Sequence, residues 1–136
     1  MTVGPGFAKP PKLNHVAMSV PADSLDADSR ASLVAFYGDV FGFEEYPDLT
    51  EDRRRLVFRA HHHEQFMFLI AEDEPMTAPR LDHFGLSVTG IDAIAADLKK
   101  KGVKFTREPT TVRPGTRVCF LEGPQGVSIE LLYRTV

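Results

Sequence analysis

Apolar and polar residues alternate over residues 12–20. Val16, Met18 and Val20 fall on one side, and Leu13, His15, Ala17 and Ser19 on the other. Period two is the mark of a half-buried strand. The stretch PADSLDAD then breaks regular structure, and Ser29 is placed to cap a helix. Leu33, Phe36, Tyr37, Val40 and Phe41 follow at i, i+3, i+4, i+7 and i+8, one helical face closed by Gly42. Three short strands are expected over 43–46, 55–60 and 65–71, with HHHE (61–64) as a hairpin turn. EDEPMTAP (72–79), with two prolines and three acids, is the best module boundary. The pattern then restarts. Leu81–Val88 is a strand, and Ile91, Ile94, Ala95 and Leu98 form a second helical face with Thr89 as its cap. KKKG (99–102) ends that helix, its lysines favourable at the negative end of the dipole. Strands are expected over 103–105, 117–121 and 127–133, with REPTTVRPGT (107–116) as a polar loop.

The two halves match in more than order. LNHVAMSV (13–20) and LDHFGLSV (81–88) share the form L-x-H-x-x-x-S-V, and IELLYR (129–134) sits opposite MFLIAE (67–72). Each half reads strand–helix–strand–strand–strand, so the chain is a tandem repeat of a βαβββ unit, an α+β fold. The modules span about 12–74 and 80–134, after an N-terminal arm of residues 1–11 that is rich in proline and glycine.

The facing rule gives the histidines a setting. Helices cover the side carrying Val16, Met18 and Val20, and in the repeat Phe84, Leu86 and Val88. The other side carries His15, Ala17 and Ser19, and His83, Gly85 and Ser87, which suit a cavity wall better than a core. On the last strand, Val127, Ile129, Leu131 and Tyr133 form the apolar face, while Gly126, Ser128 and Glu130 take the other. A glutamate alone on such a face is costly unless a charge pairs with it. If the sheets curl around a common cavity, His15, His83 and Glu130 converge. Two imidazoles and a carboxylate suit Fe, Mn, Zn, Ni or Co as divalent ions. The plainer reading makes each histidine an ordinary strand residue with local hydrogen bonds.

These pieces, with LVAFYGDVFGFEE, DLKKKGVKF and LEGPQGVSIELL, resemble the vicinal oxygen chelate superfamily, also called glyoxalase/bleomycin-resistance/dioxygenase proteins. The resemblance covers Leu13 to about Arg134. It implies paired modules forming a cupped mixed sheet with helices on the outer face, around one divalent metal per chain. It places the ligands at His15, His83 and Glu130. Aligning the module ends sets Phe68 opposite Glu130, where glyoxalase-I-like and epimerase-like members have a further ligand. A phenyl ring neither ligates nor carries a proton, which counts against glyoxalase I activity. Phe120 stands where the extradiol signature has tyrosine, and TVRPGT lacks the histidine expected upstream. The implied protein is a metal-dependent enzyme, of lyase, isomerase or dioxygenase type, acting on a small, oxygen-rich, partly apolar or aromatic substrate. The alternative is a metal-independent binder that sequesters a drug-like aromatic ligand, of the bleomycin-resistance type.

Composition narrows the partners. A net charge of −3 over 136 residues provides no basic field for nucleic acid. No apolar run reaches the roughly 18–20 residues of a membrane span, and the N-terminus lacks the apolar core of a secretory signal. One cysteine, Cys119, excludes an internal disulfide and fits a cytoplasmic setting. It is expected to be a small buried strand residue. Phe66, Phe68 and Phe120 are expected on the cavity face as an apolar wall. Arg113 and Arg117 border the loop beside it and could meet a substrate anion. His61, His62 and His63 read as a solvated hairpin tip and EDRRR (51–55) as a charged turn. The open strand edges of short modules, together with the resemblance, lead to the expectation of a homodimer.

Overall fold

The computed structural model describes residues 7, 9–46, 54–60 and 65–135. The expected hairpin tip at 61–64, most of the N-terminal arm and part of the EDRRR turn lie outside the described residues. The chain divides into two compact units, one of residues 15–82 and one of residues 1–14 with 83–136.

The first unit is built from β1 (Lys12–Pro21), a 3-10 turn at Ala22–Leu25, α1 (Ala27–Phe41), β2 (Glu44–Glu45), β3 (Arg55–Arg59) and β4 (Phe66–Glu72). Its strands run in the order β2-β3-β4-β1, with β1 parallel to β4 and the other neighbours antiparallel. The second contains β5 (Arg80–Ser87), α2 (Ile91–Lys100), β6 (Phe105–Arg113), β7 (Thr116–Glu122) and β8 (Ser128–Arg134). Its order is β5-β8-β7-β6, with β5 parallel to β8. Reading β5 to β8 as β1 to β4 makes the two orders the same, read from opposite ends. The tandem βαβββ architecture and the α+β class are therefore as expected.

α1 differs from expectation at both its start and its face. Asp26, not Ser29, is the cap: its extended backbone lets a carboxylate oxygen accept from the Ser29 N–H at 3.0 Å. That bond holds the Asp26 carboxyl below the usual carboxylate range. Gly42 closes the helix at φ +73°, its N–H donating to the Gly38 carbonyl. The residues that reach the core are Leu33, Val34 and Tyr37, which pack on Val20, Leu56, Phe58 and Leu69. Phe36, Val40 and Phe41 are more than half exposed. α1 carries apolar residues around more than one stripe, and the sheet takes only one of them.

α2 buries Ile91, Ala95 and Leu98 as its periodicity predicts, against Cys119, Leu121 and Leu131. Phe7 packs on the same cluster. Thr89 is not the cap; Gly90 occupies that position at φ +64°, with no side-chain capping bond. The polar stretch expected as a loop at 107–116 is instead most of β6 and the tight turn into β7. β6 is the outer strand of its sheet, mostly exposed and irregular in register. Such a strand is held by main-chain bonds and needs no apolar face, and it tolerates Pro109 for the same reason. At the turn, Gly115 has φ +78°, and a Cβ there would stand 2.6 Å from the Thr135 hydroxyl.

Candidate metal centre

In the second unit, β5 and β8 pair with Phe84 opposite Ile129 and Gly85 opposite Glu130. Leu86, Ile129, Leu131 and Tyr133 join the core beneath α2. Alternation therefore sends His83, Gly85 and Glu130 to the other face. There the His83 Nε2 lies 3.0 Å from Glu130 Oε1, and the two side chains are only 11% and 12% exposed. Gly85 adds no side chain between them. Phe120, the β7 partner of Glu130, presents an edge to the His83 ring at 5.2 Å. A mostly covered carboxylate is thus matched with a buried imidazole and walled by a phenyl ring, as the cost of desolvating a lone charge requires.

The first unit repeats the geometry with different chemistry. Met18 and Val20 join the core beneath α1, so His15, Ala17 and Ser19 face away from it. Along β4, His15 pairs with Phe66 and Ala17 with Phe68. Ala17 and Gly85 hold the same place in L-x-H-x-x-x-S-V, so Phe68 is the structural counterpart of Glu130. His15 is buried, and its ring lies 4.9 Å from that of Phe68, tilted by 47°. Phe66 and Val57 are buried together, with Phe68 and Tyr46 packed on them. The module that lacks an acid here thus carries an aromatic surface.

Phe66 and Phe68 share the face of His15, and Phe120 lies beside His83. The arginines are placed elsewhere. Arg117 alternates with Cys119 and Leu121 toward α2 and grips Asp92 with two bonds, at 2.9 and 2.7 Å. The pairing lowers the Asp92 carboxyl and raises the Arg117 guanidinium. Arg113 is exposed at the end of β6, on the opposite side of its sheet from β5. Arg54 spans to Asp73 at 2.9 Å and to the Ala71 carbonyl, a structural role. Cys119 is buried as expected, and burial pushes its thiol up to about 11. His61, His62 and His63 lie outside the described residues.

Tyr46 and Val57 were not identified from the sequence as part of the wall. Tyr46 follows a strand of only two residues, too short to show a period, and Val57 sits between two other buried residues. Ser19 was read only as one residue of the cavity-wall face, without its acidic partners. Its buried hydroxyl lies 2.8 Å from Glu72 and 3.2 Å from Asp82, and can donate to one of them at a time.

Tandem βαβββ modules, each with a buried histidine at the same place in its first strand and on the face away from its helix, define a paired-module α+β protein. The chain belongs to the Glyoxalase/Bleomycin resistance protein/Dioxygenase superfamily, whose family model matches residues 12–131. A curated relative, a probable chloroplastic lactoylglutathione lyase of Arabidopsis thaliana, is 29% identical over 110 residues. That match covers 74% of this chain, which spans only 31% of the relative's length. Among solved structures, methylmalonyl-CoA epimerase from Mycobacterium tuberculosis is 20% identical with a TM-score of 0.65, over 91% of this chain and 88% of that one. A mutant of 4-hydroxymandelate synthase from Streptomyces coelicolor is 19% identical with a TM-score of 0.69, over 92% of this chain and 49% of that one. At these identities the structural likeness concerns the fold. No described helix is long and apolar enough to cross a membrane.

Proposed function

We propose that His15, His83 and Glu130 hold one divalent cation per chain, and that the protein is a metal-dependent enzyme. Its substrate is a small, oxygen-rich, partly apolar or aromatic molecule. The observation that carries this reading is the buried His83–Glu130 pairing, with a buried histidine at the matching position of the other module. Each of the three residues offers one ligand atom. His83 Nε2 and Glu130 Oε1 stand 3.0 Å apart, close enough for both to be ligands of one ion. Two nitrogens and one carboxylate suit Fe, Mn, Zn, Ni or Co and leave positions open.

When bound, the cation supplies Lewis acidity toward two neighbouring substrate oxygens. The protein's own residues do the rest. Two neutral imidazoles and a single carboxylate leave the centre with net positive charge, which favours an anionic or enolisable oxygen pair. Phe68 takes no proton, so the protein offers no carboxylate shuttle at that position. Superfamily membership supports the reading, as do relatives whose names carry lyase and epimerase activities. Glyoxalase I chemistry itself is disfavoured by Phe68. A homodimer and a cytoplasmic setting belong to the same proposal.

A second reading has specific support in the phenyl and tyrosyl wall of the first unit: a metal-free binder of an aromatic ligand. Metal content separates the two. Protein purified without an affinity tag or chelator is expected to take up one ion per chain, measured by elemental analysis. Glu130→Ala is expected to lose most of it while keeping its circular dichroism spectrum. Full retention of metal in that variant would overturn the assignment of Glu130, and absence of metal uptake by the parent protein would favour the binder.

A further inference from the structure

The two modules place unlike residues at matching points: Phe68 faces Ala17 where Glu130 faces Gly85. The contrast extends to the surroundings. Beyond Glu130 lies one phenyl ring, Phe120, edge-on to His83. Around His15 the Phe68 ring is followed by Phe66 at 6.5 Å, and Phe66 by Tyr46 at 5.2 Å. Phe66 is buried, whereas Phe68 and Tyr46 remain partly accessible. Next to His15 the first module thus sets a phenyl ring where the second sets a carboxylate next to His83.

We propose that Phe68 is the specificity-determining residue of the site. On the reading above, a ligand chelated through two oxygens turns its aromatic or branched alkyl flank onto Phe68. The physical basis is twofold. A flank laid on Phe68 is removed from water, and ring pairs at these spacings gain further from offset or edge-to-face packing. A carboxylate flank laid on the Phe68 ring would be desolvated without gaining that packing, so a dicarboxylic ligand is disfavoured.

Benzohydroxamate and acetohydroxamate test this directly. Both chelate through the same two neighbouring oxygens and differ only in a phenyl or a methyl flank. Calorimetric titration of Zn(II)-loaded protein is expected to give benzohydroxamate an affinity about tenfold or more above that of acetohydroxamate, after correction for their affinities for free Zn(II). Phe68→Ala, and Phe68→Leu as the variant that better preserves packing, are expected to cut the preference to a few-fold or less. The affinity for acetohydroxamate should stay within about twofold of the parent's. Folding of each variant is checked by circular dichroism and zinc content. Equal affinities for the two probes in zinc-loaded protein would overturn the role of Phe68 and leave the metal centre standing. An unchanged preference in Phe68→Leu would overturn it equally. Failure of the parent protein to take up zinc would overturn both this inference and the reading beneath it.

Discussion

On the proposed metal site, replacing Phe68 by glutamate should add a fourth donor to His15, His83 and Glu130. The expectation rests on register: Glu130 reaches His83 at 3.0 Å from its place opposite Gly85, and position 68 lies opposite Ala17 in the same way. The Phe68 ring already lies 4.9 Å from the His15 ring, so a carboxylate in its place is within reach of whatever His15 binds. Without metal the substitution should be costly. A partly buried phenyl forfeits about 1–2 kcal/mol of apolar burial, and a carboxylate desolvated there adds about 1–3 kcal/mol. The metal-free variant should thus be about 2–5 kcal/mol less stable than the parent. With metal the sign of the new group changes. A fourth, charged ligand that tightens binding about 100-fold adds about 2.7 kcal/mol of linked stability at saturation, so most of the gap should close.

The assay is urea unfolding of both proteins, once in chelator and once in excess Zn(II) or Mn(II), alongside calorimetric metal affinities. A variant less stable than the parent in chelator and nearly level with it in metal is the expected pattern. A variant that binds metal no more tightly than the parent, or whose deficit is the same in both conditions, would refute the reasoning. Position 68 would then not face the site as Glu130 does.

Three further outcomes are expected. Burial raises the Cys119 thiol from 9.0 to about 11, so the folded state holds its proton more tightly than the unfolded one. Its stabilising contribution is complete below about pH 9 and is lost between about 9 and 11; iodoacetamide at pH 8 should label native protein at least about 100-fold more slowly than protein in urea, and comparable rates would contradict this. The parent protein should show no appreciable turnover of the glutathione–methylglyoxal adduct with any of the five candidate metals, nor ring cleavage of simple catechols with Fe(II) and O2; robust turnover in either assay would show that the groups missing at Phe68 and Phe120 are supplied elsewhere. Light scattering at micromolar concentration should return twice the 15.1 kDa chain mass; a clean monomer mass counts against the dimer.

What could be read from the sequence follows from how selective each position is. The histidine strands were legible because their departures from a core pattern recur: small or polar residues stand where an apolar face would otherwise be, twice and in the same order. Phe68 could be matched to Glu130 from the module ends, because a parallel pair with one face under a helix admits no slip of a single residue. Where packing selects weakly, the pattern misleads. α1 has Val34 beside Leu33 and Phe36 beside Tyr37, so its periodicity fits two faces equally well, and only the sheet decides that Val34 goes in and Phe36 out. β6 is invisible for the opposite reason, since an outer strand held by main-chain bonds asks nothing of its side chains. β3 hides its site-facing residue because Leu56, Val57 and Phe58 are all fully buried, and alternation vanishes when both faces of a strand are covered. The expectations about charged residues divide in the same way. Arg117 is bound by a residue 25 positions away, Asp92, and nothing local to β7 announces that the helix claims it. A charged side chain beside a predicted cavity is thus weak evidence of a ligand contact until the strand's phase is known. A charged side chain on the face away from the helices, as with Glu130, is strong evidence of a partner.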